Sequence, residues 1–472
     1  MNKLLKKFMG FSIGPVVGAL ISFITIPLTT YFVSPEEFGK ASMFTLFQGL
    51  LGILLCLGLD QAYTREYHES ESKTNLLKNA MLIPLLVSLL FFFMICINLN
   101  TVSSLLFGSP NFHYAAMLFG VTIIFLVIER FIMLSIRMEE RALEYSLLNI
   151  ILKLSVLIFT ILFVLLIRRD FLAVVYSTVL GQMIADVYLV IRYRKYLDYR
   201  SFSIDKKLLI TLIKFGAPLI IAASLTRLLN SLDRIAMRAW SDFYEIGIFT
   251  AALRISATLA IVQTSFSIFW TPTAYRWYKE DKDIKHFDLV SNTVLLVLSL
   301  LFFIIILFKD VIVLLLGSEY EDTKFIIGFL CLYPIMYTLS ETTTLGIVFT
   351  RKSYYNIWVS LLAIFPNIIL NFALIPKYGA VGAAIATGVS YLVFFLARSY
   401  FSNKNWIGFS LKPHIKLTFI LFLVAGINTL SLEYINIINL LLLLVIIIIQ
   451  LPTIKKIILI YTKKDAQEWD FS

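Results

Sequence analysis

Charged residues are scarce in this chain. Asp, Glu, Lys and Arg make up 15% of its 472 residues, whereas hydrophobic residues make up 59%. Water-soluble globular proteins carry about 25% charged residues. So low a share of charge, together with many long apolar runs, predicts an all-α polytopic membrane protein.

Cysteine and histidine are also rare, and neither is arranged for metal binding. The three cysteines all lie inside apolar runs, at Cys56, Cys96 and Cys331. The four histidines lie in loops or at helix ends without forming a close pair, at His68, His113, His286 and His414. This distribution argues against a disulfide framework, a metal site and a buried histidine proton relay. We therefore expect no metal and no bound cofactor.

Catalytic motifs are absent as well. The sequence contains no GxSxG elbow, no phosphate-binding glycine loop and no HExxH helix. The loops on one side of the predicted membrane are only about 5–15 residues long, which leaves little room for an enzyme site there. The net charge of +11 comes from short basic clusters between apolar runs, so nucleic acid is not an expected partner. These features favour a carrier over an enzyme.

Apolar runs long enough to cross a bilayer dominate the chain. They fall roughly at 8–33, 42–62, 80–99, 112–136, 147–167, 171–191, 208–232, 244–272, 288–308, 323–346, 354–374, 379–400, 414–431 and 434–454. Each approaches the roughly 17–25 residues of a membrane helix, which predicts about fourteen transmembrane helices. Of the 41 Lys and Arg, about 28 lie in the loops of one side and about 8 in those of the other. The positive-inside rule then places both termini in the cytoplasm.

The chain divides into two similar halves at the basic segment 192–207. The residues around Gly39, after the first span, match those around Gly247, after the seventh, and Gly181 matches Gly388. An offset of six spans gives both copies the same orientation, so the sequence predicts two parallel six-helix repeats. The predicted parts are an N-terminal lobe at 1–205, a C-terminal lobe at 206–403, and two additional helices with a cytoplasmic tail at 404–472.

Span seven carries a cationic stripe. Taken as one helix of about 100° per residue, residues 217–240 place Arg227, Arg234 and Arg238 in a narrow wedge, with Asn230 at its edge. Each Arg near the bilayer centre costs roughly 2.5–3.5 kcal/mol on insertion scales, so the stripe should face protein or water rather than lipid. We interpret it as a wall of an anion-binding site. The alternative is snorkelling to the headgroups, which fits Arg238 best.

Arg254 in span eight extends this interpretation. It lies near the arginines of span seven in the sequence, and we expect Arg227, Arg234 and Arg254 to reach one cavity. Guanidinium groups there would match a pyrophosphate, which accepts bidentate hydrogen bonds.

Carboxylates inside the spans are candidates for ion coupling or for intramembrane salt bridges. Glu129 and Lys153 lie at similar depth in spans four and five, and a structural salt bridge between them is the favoured interpretation. Glu341 in span ten has no lysine nearby in the sequence and is either a helix-packing partner or a proton or sodium site. Asp60 and Asp186 lie nearer the cytoplasmic ends, where solvated helix ends explain them more simply.

Three segments carry a family resemblance: KKFMGFSIGPVVGALISFITIPLTTYFVSPEEFGKASMF, LDRIAMRAWSDFYEIGIFTAALRI and IPKYGAVGAAIATGVSYLVFFL. The chain resembles, through span twelve, the polysaccharide flippases (Wzx-type O-antigen and capsule transporters) of the multidrug/oligosaccharidyl-lipid/polysaccharide exporter superfamily. The resemblance implies two six-helix lobes around a central cavity that opens alternately to either side. It also implies that spans one, two, seven and eight line the cavity.

The resemblance further implies a substrate, a short oligosaccharide on undecaprenyl pyrophosphate. It would cross from the cytoplasmic to the outer leaflet of the bacterial cytoplasmic (inner) membrane, for O-antigen, lipopolysaccharide or capsule biosynthesis. Membrane lipids, a polymerase and other assembly proteins are expected partners, and coupling to a proton or sodium gradient is a further expectation. Two alternatives stay open: an ion-coupled drug or small-molecule exporter of the same superfamily, and a membrane polymerase or ligase of the same pathway.

Overall fold

The computed structural model describes residues 3–197, 202–350, 352 and 354–462. Within these ranges the chain is helical and contains no β-strand, which agrees with an all-α protein. The internal contacts divide the chain into two compact units, which we call unit 1 (Met1–Ser231) and unit 2 (Leu232–Ser472).

Unit 1 has nine α-helices in its described part. They are α1 (Lys3–Phe32), α2 (Pro35–Leu54), α3 (Leu59–Glu66), α4 (Lys73–Ile97), α5 (Leu99–Phe107), α6 (His113–Met138), α7 (Ala142–Leu162), α8 (Phe171–Arg192) and α9 (Lys206–Leu229). Polar side chains fix some of the starts: Asp170 accepts a hydrogen bond of 3.2 Å from the backbone N–H of Ala173 in the first turn of α8. Such a cap satisfies an amide that has no partner inside the helix.

Predicted span two is broken between α2 and α3. The two helices are bent by 47° across the break, where Gly58 has a φ of +72°. A Cβ at Gly58 would lie 2.2 Å from the backbone oxygen of Gly216 in α9. Only a glycine allows both this backbone conformation and this close approach, so the break brings α3 and α9 together backbone to backbone.

Unit 2 also has nine α-helices in its described part. They are α10 (Leu232–Trp240), α11 (Phe243–Lys279), α12 (Ile284–Leu307), α13 (Lys309–Leu314), α14 (Thr323–Thr343), α15 (Leu345–Phe349), α16 (Tyr355–Asn405), α17 (Lys412–Ile427) and α18 (Ile435–Tyr461). Helix α16 is 51 residues long and is bent at Gly379, whose φ of +50° is not helical. It contains predicted spans eleven and twelve.

Span seven is not one continuous helix, contrary to the assumption behind the arginine wedge. Helix α9 ends at Leu229 and α10 begins at Leu232. Between them the backbone N–H of Ser231 donates a hydrogen bond of 2.9 Å to the carbonyl oxygen of Leu228, which closes a turn. Asn and Ser favour such local turns over a helix interior. The helix α9 packs on α2, α3 and α4, so the division of the internal contacts falls after Ser231. The predicted lobe boundary at residue 205 stays a prediction.

Nine helices among the described residues are long and apolar enough to cross a membrane, or ten when the bent pair α2 and α3 is taken as one span. The 51-residue α16 is one of the nine although it covers two predicted spans. The chain is therefore an all-α polytopic membrane protein, and the count of fourteen spans stays a prediction.

The last two helices pack within unit 2. In α17, the buried His414 shares a hydrogen bond of 2.7 Å with Ser291 of α12 through its Nε2 atom. The ammonium of the buried Lys309 donates to Oδ1 of Asn428 at 2.7 Å, and Asn428 in turn donates to Asn439 of α18 at 2.8 Å. These buried polar contacts fix α17 and α18 against α12 and α13.

One contact recurs in both units. In unit 1 the backbone N–H of Phe171, at the start of α8, donates to Oε2 of Glu37 in the first turn of α2 at 2.9 Å. In unit 2 the backbone N–H of Ala380, just after the bend in α16, donates to Oε2 of Glu245 in the first turn of α11 at 2.7 Å. The partners are 134 and 135 residues apart in the sequence. Two parallel repeats with the predicted alignment would place these contacts at equivalent positions.

Replacing Glu37 or Glu245 with alanine should destabilise the protein to a similar extent. Each change removes a charge-assisted hydrogen bond to a helix-start amide, which contributes about 1.5–3 kcal/mol. Thermal unfolding of the purified protein in detergent measures the loss as a fall in Tm.

Glu36→Ala is the matched control, because the Glu36 side chain is 60% exposed and pairs with Lys40. Exposed ion pairs contribute about 0–1 kcal/mol. An equal fall in Tm for Glu36→Ala and Glu37→Ala would contradict the role given to the recurring contact.

Candidate functional site

A cavity of about 340 Å³ lies in unit 1 among α2, α3, α6 and α9. This volume is within the range of about 300–1,000 Å³ that small-ligand sites occupy. The cavity combines an apolar wall with a few polar groups. Its lining residues are Gly52, Ile53, Gly58, Asp60, Gln61, Arg130 and Ile220.

The charged group of this cavity is the Asp60–Arg130 ion pair. Nη2 and Nε of Arg130 donate to the same oxygen of Asp60, Oδ2, at 2.8 and 3.1 Å. Asp60 is buried, whereas 48% of the Arg130 side chain is exposed. The interpretation of Asp60 as a solvated helix end is therefore wrong, because α3 turns its carboxylate inward to meet α6. The guanidinium of Arg130 keeps donors available on its open side.

Arg227 lies close to the same part of α2. One of its terminal guanidinium nitrogens, Nη2, is 3.7 Å from the position that a Cβ on Gly49 would occupy. Gly49 is one helical turn from Gly52, which lines the cavity. The Arg227 side chain is exposed, and in the part of the chain that the structure describes it makes no ion pair within 4.0 Å. Its position suits a guanidinium that binds an anion.

The other arginines of the predicted wall belong to unit 2. Arg238 stacks its guanidinium over the ring of Phe243 at 4.8 Å, which agrees with an anchoring role. Arg254 lies near Tyr320, and both Arg234 and Arg254 are partly buried. Asn230 lies in the turn after α9, in unit 1. Because Arg227 and these arginines fall in different units, their convergence on one cavity stays a prediction.

Glu129 does not form the expected bridge with Lys153. Its Oε2 atom accepts a hydrogen bond of 3.3 Å from the Nε2 of Gln182 in α8. Its carboxyl group also interacts with the Asp186 carboxyl group. In the described residues Lys153 and Glu129 are not within the 4.0 Å of an ion pair. Asp186 is only 1% exposed, so its interpretation as a solvated helix end is wrong too.

Glu341 has a partner that the sequence does not reveal. Its Oε1 atom accepts a hydrogen bond of 2.7 Å from Nη1 of Arg398, which lies 57 residues further on, in α16. The same nitrogen donates to Oγ of Ser340 at 2.8 Å, and the guanidinium packs against the rings of Tyr337 and Phe394. This geometry matches the helix-packing alternative for Glu341.

A second group that sequence reasoning missed surrounds Asp233 in α10. Its Oδ1 atom accepts from the Nδ2 atoms of Asn367 and Asn371 at 2.9 and 2.8 Å, and Oδ2 accepts from the hydroxyl of Thr387 at 2.8 Å. Oδ1 of Asn371 is buried and accepts no hydrogen bond from the described residues. The sequence feature that could have revealed this group is the spacing of Asn367 and Asn371, which lie four residues apart on one helical face. We call these four residues the Asp233 cluster.

Comparisons with known proteins agree with this architecture. The family described as "Polysaccharide biosynthesis protein" matches residues 4–276, more than half of the chain. "Capsular polysaccharide biosynthesis protein CapF" of Staphylococcus aureus is 28% identical over 194 residues, which cover 40% of this chain and 48% of that protein. "Probable low-salt glycan biosynthesis flippase Agl15" of Haloferax volcanii is 23% identical over 168 residues, which cover 33% of this chain and 36% of that protein. The chain thus matches less than half the length of these relatives.

The fold is similar to that of a solved transporter. The structure titled "Lipid II flippase MurJ, inward closed conformation" superposes on this chain with a TM-score of 0.71, covering 95% of this chain and 99% of that one. The sequence identity is 17%, so the likeness shows a shared fold. The chain therefore has the helical membrane fold of that transporter.

Breaking the Glu341–Arg398 pair should strongly destabilise unit 2. The two side chains are 15% and 11% exposed, and removing one partner of a buried pair costs about 3–5 kcal/mol because the other charge stays buried. Glu341→Gln and Arg398→Gln should each lower the Tm in detergent. The apolar double variant Glu341→Leu/Arg398→Met should recover most of the lost Tm. Single variants that keep the Tm but lose a response to an ion gradient would instead assign Glu341 to ion binding.

Proposed function

Because the chain belongs to the polysaccharide biosynthesis protein family, we propose that it is a flippase for oligosaccharide repeat units linked to undecaprenyl pyrophosphate. It moves them from the cytoplasmic to the outer leaflet of the bacterial cytoplasmic membrane by alternating access, with both termini in the cytoplasm. The product serves a surface polysaccharide such as O-antigen or capsule, and a polymerase receives it. The names of CapF and Agl15 and the fold shared with a lipid II flippase support this proposal.

The observation that carries the proposal is the guanidinium of Arg227. It lies in the last turn of the apolar helix α9, is exposed, and has no carboxylate within ion-pair distance in the described part of the chain. A pyrophosphate carries two or more negative charges, and its oxygens accept paired N–H groups. In our proposal, Arg227 binds this group, and Arg234 and Arg254 complete its binding site.

Arg130 gives the same anion a second contact within unit 1. Its ion pair with Asp60 uses two donors on one carboxylate oxygen and leaves the outer donors facing the cavity. Asp60 also orients the guanidinium, because a side chain with several rotatable bonds would otherwise lose entropy when the ligand binds. This arrangement allows Arg130 to bind a phosphate without breaking its ion pair.

The two alternative functions fit these residues less well. An exporter of cationic drugs requires acidic groups facing its cavity, whereas the open side of this cavity carries the guanidinium of Arg130. A polymerase or ligase requires a general base or a nucleophile beside the substrate, and Asp60, the carboxylate of this cavity, is held by Arg130. A flippase requires only binding and reorientation.

We further propose that the Asp233 cluster couples transport to a sodium gradient. Hard cations prefer oxygen ligands. The amide nitrogens of Asn367 and Asn371 and the hydroxyl of Thr387 donate to Asp233, and rotation of the two amides by about 180° would turn their oxygens toward the same carboxylate. A single carboxylate among neutral oxygens balances one positive charge. The buried Oδ1 of Asn371, which accepts no hydrogen bond, is the observation that fits a bound cation. Asp233, Asn367, Asn371 and Thr387 would hold it and so fasten α10 to α16.

Arg227→Ala should reduce surface polysaccharide while leaving the amount of protein in the membrane unchanged. A hydrogen bond to a charged group contributes about 1.5–3 kcal/mol, so flipping should fall at least about tenfold. Arg254→Ala should behave in the same way. Arg227→Lys should be intermediate, because lysine keeps the charge but not the bidentate geometry. Surface polysaccharide in cells that depend on the variant, with immunoblots of their membranes, measures both quantities.

Arg238→Ala is the control for this series, because Arg238 stacks on Phe243. It should retain near wild-type surface polysaccharide. Full activity of both Arg227→Ala and Arg254→Ala would overturn the pyrophosphate site.

Asp233→Asn should remove a sodium-specific stabilisation of the purified protein. A ligand that binds only the folded state stabilises it by about 2.7 kcal/mol at one hundred times its Kd, so sodium should raise the wild-type Tm more than potassium does. Asp288→Asn is the matched control, since Asp288 is a half-buried aspartate of unit 2 bonded to Asn292 at 2.9 Å. A sodium response that survives Asp233→Asn would exclude the cluster as its site.

A further inference from the structure

A carboxyl pair in unit 1 is not used by the proposed pyrophosphate site or by the sodium site. Glu129 on α6 and Asp186 on α8 are neighbours: Gln182, one helical turn before Asp186 on α8, donates to Glu129, and the two carboxyl groups interact with each other. Asp186 is 1% exposed, and Glu129 is partly buried. The pair therefore joins two membrane helices through two acidic groups.

The side-chain amides of Gln48 and Gln182 determine which hydrogen-bond donors reach this carboxyl pair. Gln48 of α2 donates from Nε2 to Oε1 of Gln182 at 3.0 Å, and Gln182 donates from Nε2 to Oε2 of Glu129 at 3.3 Å. Neither oxygen of Asp186 receives a hydrogen bond from the described residues, although both are buried. The donor chain that begins at Gln48 ends at Glu129 and, among the described residues, does not reach Asp186.

The nearby cations do not neutralise two negative charges here. Lys153 on α7 acts on Glu129 only from beyond ion-pair distance, and Arg130 on α6 is bound to Asp60 of α3. Gln48 on α2 and Gln182 on α8 are neutral. Two carboxylates in contact and shielded from water repel each other strongly, and such pairs hold a proton between them.

We propose that Glu129 and Asp186 form a proton-binding site that holds one proton between their carboxyl groups. In this state the shared proton gives Asp186 its missing hydrogen bond and fastens α6 to α8. Release of the proton leaves two adjacent carboxylates, which drives the two helices apart. The pair is thus a two-state contact whose occupancy depends on pH.

The use of this proton in transport rests on the proposed flippase function, whereas the existence of the site does not. Arg130 follows Glu129 directly in the chain and reaches into the cavity of unit 1. An anion bound at Arg130 and the proton held by Glu129 therefore act on each other through space. Their binding free energies are coupled, and the effect is reciprocal.

Infrared difference spectroscopy of the full-length protein in detergent tests the site directly. A change from neutral to alkaline pH should remove the carbonyl-stretch signal of one protonated carboxyl group from the wild-type spectrum. Asp186→Asn and Glu129→Gln should each abolish this signal, because the remaining carboxylate then accepts from a neutral amide and ionises. Using both variants keeps the test decisive if one of them folds poorly.

Glu66→Gln is the matched control, since the Glu66 side chain of unit 1 is also poorly exposed, at 18%, but lies 3.9 Å from Arg65. It should leave the protonated-carboxyl signal unchanged. A wild-type protein without this signal, or a signal that survives both Asp186→Asn and Glu129→Gln, would overturn the proton site. A signal that disappears as expected in a protein that flips no lipid-linked oligosaccharide would support the site and refute the flippase function.

Discussion

The cost of placing charge in hydrocarbon is the constraint on which the rest of this structure depends. Each ionised side chain near the bilayer centre costs roughly 2.5–3.5 kcal/mol on insertion scales, and a partner on another helix offsets that cost. Arg130 meets Asp60 in unit 1, and Arg398 meets Glu341 in unit 2. Both pairs join helices that are distant in the sequence. The need to neutralise charge therefore fixes which helices pack against each other.

The charged groups that form no ion pair within 4.0 Å among the described residues are the informative ones. Asp233 is surrounded by neutral donors, and Asp186 contacts another acid. Arg227 has no carboxylate within ion-pair distance among the described residues. A buried carboxylate such as that of Asp233 or Asp186 is expensive to ionise unless a mobile charge completes it, whereas the exposed guanidinium of Arg227 is open to an anion. A cation, a proton and a phosphate are the species that would complete these three sites, and each of them is a component of ion-coupled transport of an anionic lipid.

Composition and apolar run length were sufficient to predict the fold class, because the bilayer requires helices and sets their length. Local breaks could not be predicted in the same way. The turn at Asn230 and Ser231 interrupts a segment that is hydrophobic on both sides, and the break between α2 and α3 at Gly58 falls inside predicted span two. Both depend on contacts with other helices, which no window of neighbouring residues contains. A repeat comparison did align Gly39 with Gly247, close to the recurring glutamate contact.

The sequence predicted several charged residues of the candidate site, but not which of them contact each other. The sequence identified Glu341 as an intramembrane acid, yet its partner Arg398 lies 57 residues away. It paired Glu129 with Lys153 because adjacent spans lie at similar depth, whereas the fold places Glu129 against Asp186. Depth along the membrane normal can be estimated from the sequence. The direction in which each helix face points depends on packing, and this rotation decides which charges meet.

The bend in α16 has a mechanical consequence. The amide just beyond it, on Ala380, bonds to a carboxylate from α11 instead of to a carbonyl of its own helix. A side chain at Gly379 would collide with Glu245, so the bend leaves room only for that carboxylate. The bend between the two parts of α16 is therefore stabilised by a contact from another helix, α11. Straightening α16 would first require the hydrogen bond between the Ala380 amide and Glu245 to break. The start of α11 therefore holds the bend in place.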